Sequence, residues 1–113
     1  MNAGEEAALL EAAAELFNRG EHLAAHEVLD DLWEATEGPD ADFYKGLIQA
    51  SVALHHLGSG NVEGAQKLER GMRKLLAAYL PEHRGVALTP LLETLRARLR
   101  GDEGVEVRIE RSC

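Results

Sequence analysis

Apolar residues recur at intervals of three and four along most of the chain, the spacing of one face of a helix. Leu9, Leu10, Ala13, Leu16 and Phe17 form the first such stripe and predict a helix over 5–18. Asn2 stands ahead of it as a cap, with Glu5 three residues on in capping-box position. Asn18-Arg19-Gly20 supplies the stop, because glycine accepts the left-handed conformation that ends helices. Ala25, Val28, Leu29, Leu32 and Thr36 predict a second helix over 21–37. Trp33 and His26 lie at one edge of that stripe, and Glu27, Asp31 and Glu34 lie on the opposite face. Gly38-Pro39 ends it and starts the next.

The third stripe is the most apolar. Over 40–57, Phe43, Leu47, Ala50, Leu54 and Leu57 form one side, while Tyr44, Ile48 and Val52 apolarise much of the other. A helix apolar on most sides is a buried one, so this element is expected to be the axis of the fold. Lys45, Gln49 and His56 interrupt it as a narrow polar stripe within about 40° of arc. Gly58-Ser59-Gly60 follows. Val62, Ala65, Leu68, Met72, Leu75, Leu76 and Tyr79 then predict a fourth helix over 61–80, with Lys67, Arg70, Arg73 and Lys74 outside and Pro81 as the stop. Residues 81–88 read as a loop. Thr89 as cap and Pro90 at the first position open a fifth helix running to about residue 100, with Leu91, Leu92, Leu95 and Leu99 inward. After a turn at 101–104, Val105, Val107 and Ile109 alternate with charged residues, a strand pattern that finds no second strand in this sequence. Such a segment has three fates: lying extended on the bundle, fraying, or pairing with another copy.

The junctions repeat. Gly20-Glu21-His22-Leu23-Ala24-Ala25 precedes Gly60-Asn61-Val62-Glu63-Gly64-Ala65 by forty residues. Each follows one amphipathic helix and precedes another, and the small alanine five residues after the glycine lets two antiparallel helices approach. This is the signature of a tetratricopeptide-like helical hairpin used twice. The expected architecture is therefore all-α: one domain over 1–113, two hairpins, a capping fifth helix and a short extended tail at 105–110.

Composition adds limits rather than an activity. At 113 residues the chain suffices for one domain with a real core. Its single cysteine, Cys113, has no partner within the chain and reads as incidental. No stretch resembles a leader or a membrane span, so a cytoplasmic protein is expected. The net charge of −8 argues against binding nucleic acid through its phosphates. Twelve of the twenty acidic residues and one basic residue fall in 1–43, against eleven basic and eight acidic in 44–113. Attraction between the two halves of one fold accounts for this, and an acidic surface for a basic partner is the sharper reading. Arg96, Arg98 and Arg100 suit the negative end of the last helix.

Candidate chemistry concentrates in the second and third helices. Ala25-His26-Glu27-Val28-Leu29-Asp30 invites comparison with the zinc motif H-E-x-x-H, but Asp30 stands where the second histidine belongs. His22, His26 and Asp30 fall at i, i+4 and i+8. Adjacent members are one turn apart and suit a shared metal, but all three span roughly 12 Å of helix, too far for one ion. Further ligands would come from His55 and His56. No metal and no cofactor is expected. Lys45, Gln49 and His56 need polar partners if their helix is buried, and Glu27 or Asp30 would serve. Either these groups form a network that fixes how the two helices pack, or they line a polar cleft with Glu27 and His26 or His56 as an acid/base pair. No nucleophile triad and no phosphate-binding glycine loop is present, so a binding module is favoured over an enzyme.

The same residues form a familiar pattern. Phe17, Gly20-Glu21, Ala25-His26-Glu27-Val28-Leu29-Asp30 and Trp33, then Phe43-Tyr44-Lys45-Gly46-Leu47-Ile48-Gln49-Ala50, then His56, Gly60-Asn61 and Gly64-Ala65, resemble the prokaryotic domain-of-unknown-function 309 family over about 13–80. The resemblance implies a compact all-α fold and no particular activity. It implies His26, Glu27, Trp33, Gln49, His56 and Asn61 as hallmark polar positions. His22 departs from it, standing where an aromatic is usual; Asp30 often appears there as glutamate, and His55 lies outside the pattern. Two functions follow: an interaction module, with a protein partner or a second copy, or a small-molecule or metal-assisted catalytic pocket at His26, Glu27, Gln49 and His56.

Overall fold

Two helix reversals with the same hydrogen bonds set the architecture. A computed structural model describes residues 1–112; Cys113 lies outside the described residues. Helix α1 (Ala3–Asn18) is capped by Asn2, whose side chain accepts from the Glu5 N–H at 2.8 Å. It ends at Gly20, φ +85°, where the Gly20 N–H bonds Phe17 O and the Glu21 N–H bonds Leu16 O. Helix α3 (Ala41–Gly58) ends the same way at Gly60, φ +82°, through Gly60 N–H to Leu57 O and Asn61 N–H to His56 O. This paired pattern satisfies the last carbonyls of the outgoing helix while turning the chain back on itself. The next helices, α2 (His22–Ala35) and α4 (Val62–Leu76, continued by a 3-10 turn at Ala77–Tyr79), then return antiparallel. Ala25 and Ala65, the matched small residues, are both fully buried. The forty-residue repeat is thus a repeat of structure.

Helix α3 packs against both α2 and α4, as its apolar circumference predicts. Phe43, Leu47, Ala50 and Ala53 have no exposed surface. It approaches α4 closely: a Cβ on Gly46 would lie 2.5 Å from the Leu76 side chain, and one on Gly71 would lie 2.5 Å from Gln49 Oε1. Two glycines, one on each helix, make room for the facing residue.

Helix α5 (Leu88–Leu99) packs on α4 and closes the bundle, but its start differs from the expected one. Ala87 is the flanking residue, and the Leu88 and Thr89 N–H groups both bond Pro81 O. With those orphan donors satisfied, Thr89 has no capping role. Pro90 sits third, where a missing N–H still costs nothing. Residues 81–88, expected as loop, contain a two-residue hairpin, β1 (Glu82–His83) and β2 (Val86–Ala87). Arg84 and Gly85 turn it at φ +48° and +76°, the left-handed pair that tight hairpins demand.

The tail takes the first of its three fates. Ala87 N–H donates to Glu110 O at 2.9 Å and Ser112 N–H to Gly85 O at 2.7 Å, so the tail pairs with the free edge of β2. Val107 and Ile109 are buried, while Arg108 bridges Glu106 and Glu110 outside. Asn18 clasps it from α1, accepting from Ile109 N–H at 2.8 Å and donating to Ile109 O at 3.0 Å. Among the described residues no helix is long and apolar enough to cross a membrane.

Two substitutions test this packing. Gly46→Ala forces a methyl into Leu76 and should cost about 1–3 kcal/mol in denaturant unfolding. Asn18→Ala strands both backbone groups of Ile109 and should cost about 1–2 kcal/mol, with faster amide exchange confined to the tail.

Candidate functional site

Helix α2 carries its hallmark residues on its sides and outer face. The core stripe is Ala25, Leu29 and Leu32, all fully buried. His26 and Asp30 are half-buried on one flank, and Glu27 points to solvent. Trp33, expected at the core edge, is 38 % exposed, and Leu23 is 48 % exposed. At about 100° per residue Leu23, His26, Asp30 and Trp33 fall within roughly 80° of arc. They form a single outward strip along α2.

The polar stripe of α3 does not join them. Lys45 is exposed, and Gln49 and His56 are half-buried, so this stripe lies at the surface of an otherwise buried helix. Among the described residues no hydrogen bond or ion pair links Glu27 or Asp30 to Lys45 or His56. Gln49 lies against Gly71 of α4, and its Oε1 is buried without a hydrogen-bond donor among the described residues. His56 and Asn61 do meet, with Asn61 Nδ2 3.4 Å from His56 Nδ1, within the turn that ends α3. Asn61 also caps α4, its Oδ1 accepting from the Gly64 N–H at 3.0 Å. A Cβ on Gly64 would lie 2.5 Å from Asn61 Nδ2, so Asn61 and Gly64 are matched parts of one cap. Among the described residues, no group of three or more His, Cys, Asp or Glu is placed to hold a metal ion.

A polar cluster that sequence reasoning missed joins α1, α3 and the hairpin. Tyr44, whose ring is fully buried, donates its hydroxyl to Glu6. Arg84 Nη1 lies 3.2 Å from the same Glu6 carboxylate, and Arg84 Nε donates to Asp40 Oδ2. His83 Nε2 lies 2.9 Å from Asp40 Oδ1. Its ring packs on Phe43 and Tyr79, at centroid distances of 4.8 and 4.7 Å, and the Tyr79 hydroxyl donates to the Pro39 carbonyl. Partial burial disfavours the Asp40 carboxylate, but the bonds from Arg84 and His83 outweigh it and hold its carboxyl below the usual range. Burial pushes the Tyr44 hydroxyl up, and the bond to Glu6 pushes it further, so it stays a donor. Both Asp40 oxygens and the Tyr44 proton are committed within the cluster. Chemically it is a clamp, beside an open cleft of about 340 Å³ bordered by Glu6, Thr36, Asp40 and Arg84. Its bonds join residues 38 or more positions apart, beyond any local pattern. The one local hint was the Arg84-Gly85 pair.

A second cleft, of about 520 Å³, opens between the start of α2, the end of α3 and the end of α5. His22, His55, Ser59 and Arg98 line it, with Glu106 of the tail. Burial lowers the His22 imidazole below its ordinary value, and the positive charges of His55 and Arg98 lower it further. His26, Glu27, Gln49 and His56 line neither cleft.

Residues 10–68 match the sequence profile of the family described as Domain of unknown function (DUF309). The matched span runs from the core of α1 through both glycine reversals into α4. An uncharacterised protein of Aquifex aeolicus (strain VF5) is 34 % identical over 86 residues, which cover 74 % of this chain and 25 % of that protein. The chain thus spans about a quarter of the length of the curated relative it matches.

The clamp should have a pH signature. A depressed Asp40 contributes stability that is fully present above its ordinary value of 3.8 and is lost as the pH falls toward the lower value it has in the fold. Asp40→Asn should destabilise at pH 7 by about 1–2 kcal/mol, a modest figure because Arg84 is 42 % exposed. The same variant should lose that part of the acid slope in unfolding experiments between pH 5 and 2.

Proposed function

Because this chain belongs to the DUF309 family, whose description assigns no activity, we propose its function from its own surface: it is a helical module that docks a protein partner on the outer strip of α2. The observation that supports this is the exposure of Trp33. A tryptophan left partly in water on a helix flank, with exposed Leu23 on the same strip, is a side chain of the type that anchors interface centres. His26 and Asp30 lie between them and supply polar contacts at the rim. Helix α2 also carries Glu27, Asp30, Asp31 and Glu34 with no lysine or arginine. Two such acidic helices repel, so a basic partner with an apolar pocket for Trp33 fits better than a second copy. The match to a quarter of a longer relative agrees with a unit that works inside or beside larger proteins.

The alternative, a catalytic pocket at His26, Glu27, Gln49 and His56, has one feature in its favour, the unpartnered Gln49 Oε1. Against it, the clefts described among residues 1–112 are lined by none of the four.

Trp33→Ala separates docking from packing. A docking tryptophan should cost under about 1 kcal/mol of stability when removed, and a core anchor about 3–5. The expected result is near-native stability with at least a thirtyfold loss in quantitative recovery of partners from host extract, corresponding to about 2 kcal/mol. Large destabilisation with unchanged recovery would defeat the reading.

A further inference from the structure

Three groups that carry or readily accept positive charge meet in the second cleft, and each comes from a different element. His22 opens α2, His55 lies in the last turn of α3, and Arg98 lies in the last turn of α5. They converge in a chain whose net charge is −8, so general surface charge does not explain them. Arg98 is held in place by its own loop: Nη1 donates to Val105 O at 3.4 Å. Its Nε is buried and has no acceptor among the described residues. A donor that water cannot reach is closed to a ligand as well, so the N–H groups Arg98 offers the cleft are those at the outer end of its guanidinium, and an anionic oxygen is the acceptor they suit best. Glu106 is the one carboxylate among the lining residues, and it does not fill this role: its Oε1 lies 3.0 Å from Arg108 Nη1 and its side chain is 69 % exposed. The neighbouring Arg19 is likewise engaged, 3.1 Å from Glu21.

We propose that this cleft binds a small phosphate monoester, its phosphoryl group held by His22, His55 and Arg98. Donors arriving from three elements suit a tetrahedral oxyanion better than a planar carboxylate, which one arginine fork satisfies alone. The cleft volume of about 520 Å³ leaves room beyond the phosphoryl group for a small organic body against Phe17 and Leu54. Ser59, at the end of α3, offers a further hydroxyl at the rim. The site stands apart from the docking strip, since His22 and Trp33 are separated by roughly 16 Å along α2, and it does not rest on that reading.

Charge dictates the pH dependence. His22, His55, Arg98 and Glu106 face the cleft; Arg98 is charged throughout, and a bound anion favours the protonated imidazoles. Sulfate is the probe of choice, because its own charge does not change between pH 5 and 8. Titrated into the full chain at constant ionic strength, it should shift the His22 and His55 ring resonances saturably, with binding at least fivefold tighter at pH 6 than at pH 8. Arg98→Gln should weaken it at least tenfold. Glycerol phosphate should bind more tightly than inorganic phosphate at the same pH, identifying the ester as the fitting ligand; equal or weaker binding overturns the ester. Shifts that fail to saturate, that chloride reproduces, or that persist in Arg98→Gln overturn the site. If Arg98→Gln does not fold, His55→Gln takes its place, with the same loss expected and retained binding again overturning the proposal.

Discussion

Short connections between packed helices leave little chain with which to satisfy the backbone, and that constraint organises this protein. A reversal of a few residues must find donors for the last carbonyls of one helix before the next begins. The Gly20 and Gly60 turns solve it identically, with the same pair of backbone bonds and a left-handed glycine between them. Once both are made, α1 and α2 must run antiparallel, and so must α3 and α4. The close approach at Gly46 and Gly71 follows from that arrangement, and so does the burial of α3. Asn61 then serves the turn in three ways: its N–H bonds His56 O, its amide meets the His56 ring, and its Oδ1 caps α4. Two of the hallmark positions, His56 and Asn61, thereby have a role in turn chemistry.

What could be read from the sequence was what repeats locally. The apolar stripes placed all five helices to within a few residues, and the glycine junctions announced the repeat. Thr89-Pro90 marked the start of α5 to within two residues, but Thr89 is not its cap, because the carbonyl of Pro81 reached the donors first. The alternation at Val105–Ile109 was visible, but those residues form no strand: they lie extended on the bundle, and the tail meets β2 only beyond them, through Glu110, Arg111 and Ser112. The candidate site was legible only in part. Periodicity put His26 and Trp33 together at the edge of the α2 stripe but did not mark the strip with Leu23 as outward, and the expected pairing of its polar residues with those of α3 depended on how deeply α3 buries Lys45 and His56, which no local pattern sets.

The acidic front half and basic rear half meet where the helical frame needs closing. Glu6 and Asp40 come from the acid-rich segment and converge on Arg84 and His83 of the hairpin. Arg84 adopts a left-handed backbone to make the turn, so one residue both shapes the hairpin and supplies its charge. Tyr44 makes the cluster more than a surface pair, because its ring is part of the core and its hydroxyl reaches Glu6. Charge and core are thus coupled at one end of α3, and the aromatic packing of Phe43, Tyr79 and His83 continues that coupling into the hairpin.

The clasp between Asn18 and Ile109 joins residues 91 positions apart. Closing so long a loop costs entropy that only a preformed docking surface repays. The helical hairpins, whose contacts are local, therefore assemble first, and the tail arrives on a finished frame. Contacts made after the folding barrier slow unfolding without speeding folding, and a clasp that closes so long a loop is of the kind that acts in that way. The last segment to dock also carries Val107 and Glu106 to the rim of the histidine cleft. Without the docked tail that cleft loses part of its wall.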